Sequence, residues 1–132
     1  VSLGIADYPM CRLAEAYLIE AECLLKGSQP DVVKGLQILN ALRVKRGESQ
    51  LTSAQFTSDE IWKERRRELY GEGFALSDIK RLQKPLERVG EEHWSDVISL
   101  PANSPRMMFP IPADELDYNK SATSDDQNEY WR

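Results

Sequence analysis

Apolar residues recur at three- and four-residue steps through the first part of the chain. Met10, Leu13, Ala14, Tyr17, Leu18, Ala21, Leu24 and Leu25 fall on one helical face, which predicts a helix over 8–26 closed by Gly27. Ser28, Pro30 and Asp31 signal a new start, and Val32, Leu36, Leu39 and Leu42 place a second helix over 31–46, ended by Gly47. The connection is so short that the two helices must be antiparallel neighbours. A polar loop, 47–56, precedes a third helix. Thr57 and Glu60 have the spacing of a capping box, and Phe56 and Ile61 flank it as a hydrophobic staple. That helix runs to about Tyr70. Gly71 and Gly73 interrupt it, residues 74–83 resume helical spacing, and Lys84-Pro85 stops it.

After residue 85 the pattern changes. Pro101, Pro105, Pro110 and Pro112 are four of the seven prolines. Met107-Met108-Phe109-Pro110-Ile111-Pro112 is apolar and extended, because a residue before proline avoids the α region. Pro112 suits the start of a short helical turn through Leu116. A polar, acidic tail over 118–132 follows. The expected fold is a single, mainly all-α domain over 1–132. Tetratricopeptide-like helical hairpins occupy 1–85, and a loop, the extended strip and an irregular tail occupy 86–132. No internal repeat relates 8–47 to 57–84. Met107, Met108, Phe109 and Ile111 are expected to pack back across the hairpins. If its ring is fully buried, Phe109→Ala costs about 3–5 kcal/mol. An exposed docking strip is the competing arrangement.

Composition narrows the function. The chain has 132 residues, 41% hydrophobic and 30% charged, with a net charge of −5. These values fit a folded globular chain, and the negative balance argues against a nucleic-acid binder. No apolar run reaches the roughly 20 residues of a membrane helix. The start, Val1-Ser2-Leu3, lacks Met and a signal peptide and reads as a fragment or processed product. Cys11 and Cys23, twelve residues apart on one predicted helix, would lie roughly 18 Å from each other, beyond disulfide reach.

Charged residues crowd helices three and four. A salt-bridge network is expected to lock helix three to helix one through Arg12 and Glu15, with Glu64, Arg65, Glu68, Glu72, Asp78 and Arg81 as further members. The arginines at 65, 66 and 67 point about 100° apart and form no single anion site. No nucleophile elbow, metal-ligand spacing or phosphate loop occurs, so no enzyme, cofactor or metal site is expected.

Five stretches carry a family resemblance: Tyr8-Pro9-Met10-Cys11-Arg12-Leu13-Ala14-Glu15 through Glu22; Leu39-Asn40-Ala41-Leu42-Arg43-Val44-Lys45-Arg46-Gly47; Glu64-Arg65-Arg66-Arg67-Glu68-Leu69 with Glu72-Gly73 and Asp78-Ile79-Lys80-Arg81; Phe109-Pro110-Ile111-Pro112-Ala113-Asp114-Glu115-Leu116; and Gln127-Asn128 with Tyr130. In this order they resemble the C-terminal portion of the SusD/RagB-type nutrient-uptake lipoproteins. Ala75, Leu76, Lys120 and Glu129 depart from the family pattern. The resemblance implies a lipid-anchored protein on the outer face of the outer membrane. It would bind an oligosaccharide or other nutrient and hand it to a SusC-like TonB-dependent transporter. It also implies that this portion is mainly scaffold and docking surface, with most sugar contacts outside the chain and the anchor absent from it. A cytosolic tetratricopeptide-type adaptor that grips peptides is the alternative, and the proline-rich strip and Gln-Asn tail argue against it.

Trp94 and His93 are the candidate ligand contacts. They lie in the loop Glu91-Glu92-His93-Trp94-Ser95-Asp96, and loops carry function more often than scaffold does. A lid over the core is the competing role for Trp94. Trp62 reads as half-buried, and Trp131 as frayed at the chain end.

Overall fold

The computed structural model describes residues 11–90 and 99–132. It is mainly helical, with five α-helices and one two-stranded ribbon among the described residues. The chain divides into two compact units at the junction of Phe74 and Ala75.

In the first unit, α1 spans Leu13–Lys26 and α2 spans Val32–Lys45. Arg12 is extended (φ −100°, ψ 141°) and caps α1 with its carbonyl alone, accepting from the N–H groups of Glu15 (3.0 Å) and Ala16 (3.3 Å). Cys11 therefore stands ahead of the helix, not within it. Both cysteines are free and exposed. The Asp31 carboxylate accepts from the Lys34 N–H at 2.9 Å and starts α2. Gly47, at φ 78°, ends it: the Glu48 N–H reaches the Arg43 carbonyl (2.9 Å) and the Gly47 N–H the Val44 carbonyl (3.1 Å), a Schellman turn.

The segment from 46 to 57 runs back along α2. The Asn40 amide brackets Leu51, donating to its carbonyl at 3.0 Å and accepting from its N–H at 2.8 Å. The Arg43 Nε donates to the Ser49 carbonyl at 2.8 Å. Further along, the Phe56 ring reaches Gly35, where a Cβ would lie 2.9 Å from Cζ. This return brings α3 (Ser58–Glu68) against α1, running in the same direction as α2, whose Arg43 and following Arg46 reach across to Glu64 and Glu68. Thr57 caps α3 through its hydroxyl (3.2 Å to the Glu60 N–H). The reciprocal half of the expected capping box is not made: the Gln55 carbonyl takes the Thr57 N–H at 2.9 Å, and the Glu60 carboxylate turns to Lys63 at 3.0 Å. The box forms one turn earlier, between Thr52 and Gln55. Ala14, Leu18, Ala21, Leu39, Leu42, Phe56, Ile61 and Leu69 make the core, so both staple residues lie inside. α3 stops at Glu68, ahead of Gly71 (φ 78°) and Gly73 (φ 84°).

The second unit contains most of α4 (Phe74–Arg81), the antiparallel pair β1 (Leu86–Glu87) and β2 (Ser99–Leu100), and α5 (Ala113–Tyr118). Leu86 faces Leu100 across the ribbon. The strip is extended at Met108 (ψ 136°) and Pro112 (ψ 141°), but Met107, expected to be extended as well, belongs to the 3₁₀ turn Pro105–Met107. Its burial differs from expectation. Met107 is buried and Ile111 partly so, but Met108 is exposed and the Phe109 side chain is 76% exposed.

Candidate functional site

Two constructions stand out. The first is an ion-pair lock among α1, α2 and α3. Glu68 lies at the end of α3, and its side chain keeps only 7% exposure. One carboxylate oxygen accepts from Arg12 (2.7 Å) and Arg46 (2.6 Å), and the other from Arg46 Nε (2.8 Å). Arg46 thus binds it with two parallel bonds, while Arg12 also donates to the Glu68 carbonyl (3.2 Å) and pairs with Glu72. One turn deeper, Glu64 and Arg43 form a buried pair, with Arg67 joining Glu64 at 3.0 Å.

The Glu68 carboxyl is held below its ordinary value, first by the hydrogen bonds from Arg46, against the cost of burial, and with help from the charges of Arg46 and Arg12. The same bonds raise Arg46 above its ordinary value. A carboxyl depressed on folding adds stability above its unfolded value, near 4.5, and that stability disappears as pH falls through the folded value. The melting temperature is therefore expected to be insensitive to this group at neutral pH and to drop below about pH 4.5. Glu68→Gln should flatten that acid limb. An identical limb in the variant would exclude Glu68 as its source.

The second construction joins the proline-rich strip to the chain's tail. The Gln127 amide, itself buried, accepts from the Ile111 N–H (2.8 Å) and donates to the Ile111 carbonyl (3.0 Å). Asn128 donates to the Phe109 carbonyl, and the Trp131 indole N–H to the Met108 carbonyl at 2.8 Å. Side chains of the tail thus serve as the strip's hydrogen-bonding partner. Gln127→Ala should cost about 1–3 kcal/mol by leaving partly buried backbone groups of Ile111 unsatisfied. Amide exchange checks this: unchanged protection at Ile111 would show that the clamp is not what holds the strip.

Of the residues picked out from the sequence, Arg12, Glu68 and Glu72 come together. Glu64 pairs with Arg43 and Arg67. Arg65 is buried, its guanidinium 6.0 Å from the Phe74 ring centroid. Asp78 and Arg81 pair at 2.8 Å within α4. Among the described residues Glu15 makes no ion pair; its carboxylate accepts from the Cys11 thiol at 3.9 Å. His93 and Trp94 lie outside the described residues. Arg43 and Arg46 were missed as partners, although their spacing at the end of α2 placed two cations one turn apart. Trp131, expected to fray at the chain end, has its indole anchored to the Met108 carbonyl. Among the described residues no cluster of His, Cys, Asp and Glu could hold a metal ion, and no helix is long and apolar enough to cross a membrane.

The model of the SusD family matches residues 2–131. The chain is similar to a SusD superfamily protein from Bacteroides vulgatus ATCC 8482, with 36% identity and a TM-score of 0.72, over 89% of this chain and 26% of that one. It is likewise similar to a SusD superfamily protein from Bacteroides thetaiotaomicron VPI-5482, with 34% identity and a TM-score of 0.76, over 89% of this chain and 27% of that one. It therefore spans about a quarter of the length of these solved structures. None of the curated proteins matches it. With a family match over nearly its whole length and the same fold in both structures, the chain belongs to the SusD family.

Proposed function

We propose that this chain serves as scaffold and docking portion in a glycan- or nutrient-binding component of an outer-membrane uptake system. That component would sit on the cell surface by a lipid anchor and pass its ligand to a TonB-dependent transporter. The match over residues 2–131 carries this reading. The site geometry supports the scaffold role: Glu64 and Glu68 of α3 are committed in ion pairs to Arg12, which caps the start of α1, and to Arg43 and Arg46 at the end of α2, and these pairs tie the three helices together. A carboxylate held as an arginine's counter-ion is poorly placed to shuttle protons, so the reading includes no catalytic step.

Copurification tests it. The protein, affinity-tagged at its chromosomal locus and extracted in mild detergent, should bring down a TonB-dependent barrel, and surface-applied protease should remove it from intact cells. Recovery of the protein in the soluble cytosol, with no barrel attached, would sink the reading.

A further inference from the structure

The exit from α3 carries a construction that the ion-pair lock alone does not account for. Residues 70–73 are all exposed. Gly71 and Gly73 both hold positive φ angles, 78° and 84°, and a Cβ on either would meet nothing within 4 Å. No side chain of this stretch is buried, so packing does not hold it. Glycine is also the residue whose backbone loses the most freedom when it is fixed. Two glycines on either side of one residue, in open space, make a joint.

Glu72, the residue between them, is tied. Its N–H donates to the Leu69 carbonyl at 3.2 Å, and its carboxylate accepts from Arg12. That partner is anchored without it. Arg12 donates to the Glu68 carboxylate at 2.7 Å and to the Glu68 carbonyl at 3.2 Å. Loss of the Glu72 contact thus leaves Arg12 in place, and the pair can open without unlocking the helices. The two ties also differ in their access to salt. The Glu68 side chain keeps 7% exposure, whereas that of Glu72 keeps 31%. Mobile ions screen charges beyond about 10 Å at 0.1 M and about 3 Å at 1 M, and they act on exposed pairs far more than on buried ones. We propose that the Arg12–Glu72 pair is a latch on the joint Gly71-Glu72-Gly73, closed at low ionic strength and released at high, while the Glu68 pairs hold throughout. An exposed pair of this kind biases an equilibrium by roughly two- to fivefold, so it grades the joint's freedom. The freedom of the chain beyond Gly73 is then set by salt. This device stands apart from the uptake reading and survives its failure.

Amide exchange at Glu72, followed by NMR and normalised to a short peptide of the same sequence at the same salt, measures the open fraction. Between about 0.1 M and about 1 M sodium chloride, protection at Glu72 is expected to fall roughly two- to fivefold. Glu72→Gln at the lower salt should already show the reduced protection at this position, and added salt should then change it little. Its melting temperature and its protection within α1 and α3 should match the wild type, because Arg12 keeps Glu68. Glu60→Gln, which removes an ion pair with Lys63 on the same helix, should leave protection at Glu72 unchanged. Wild-type protection in Glu72→Gln would overturn the latch. So would an equal response to salt in both proteins, since salt would then be acting elsewhere. A loss of protection spreading through α1 and α3 in Glu72→Gln would overturn it as well, by showing the pair to be part of the lock.

Discussion

Glu64→Ala is expected to cost about 3–5 kcal/mol of folding stability, a large share of the 5–15 kcal/mol typical of a domain. The side chains of Glu64 and Arg43 keep 5% and 7% exposure, so removing the carboxylate leaves a buried guanidinium without its main counter-ion. Arg43 would retain the Ser49 carbonyl and a looser contact with Glu48 at 3.7 Å, which are too few to offset the loss of water. Replacing both partners with apolar residues, as in Arg43→Met with Glu64→Leu, should cost less than Glu64→Ala alone, because no charge is then stranded. Urea denaturation of the three proteins decides it. A Glu64→Ala change below about 1 kcal/mol would show that the pair is effectively solvated.

Phe56→Ala should be comparably severe, about 3–5 kcal/mol, because the ring is 4% exposed and sits in the core cluster. The same ring explains Gly35. A methyl there would meet Phe56 Cζ at 2.9 Å, Cε1 at 3.1 Å and Leu24 Cβ at 3.2 Å, so α2 carries a poor helix former where the ring passes. The two positions should therefore be coupled. Gly35→Ala is expected to destabilise the wild-type chain but to stabilise the Phe56→Ala variant by up to about 1 kcal/mol, the helix preference of Ala over Gly, once the ring is gone. Additive effects in a double-mutant cycle would refute the contact.

The helices were legible because each pairs a run of periodic apolar residues with a local stop. Gly47 and Gly71 with Gly73 lie where positive φ angles end α2 and separate α3 from α4. The start of α1 was not legible. Arg12 has helix-compatible neighbours, but its side chain reaches fifty-six residues along the chain to Glu68, and periodicity does not encode that reach. The return segment was hidden for the same reason: Asn40 looks like an ordinary helix residue until its amide is seen to bracket Leu51. The expected burial of Phe109 rests on its hydrophobicity alone, which does not say which way a side chain faces. Strict alternation would put Phe109 on the same side as Met107 and Ile111, but Met107 belongs to the 3₁₀ turn Pro105–Met107, and it and Ile111 take the inner places while the Phe109 ring stays outside. Composition had no means of distinguishing the two sides.

The Gln127 clamp also bears on self-association. An extended apolar stretch with free N–H and C=O groups is a template on which another chain can add a strand. Here Pro110 and Pro112 have no N–H to offer, and Gln127 occupies both backbone groups of Ile111 between them. The Phe109 and Met108 carbonyls are occupied by Asn128 and Trp131. The strip can thus present an exposed phenylalanine to its surroundings while its backbone gives an incoming strand little to pair with.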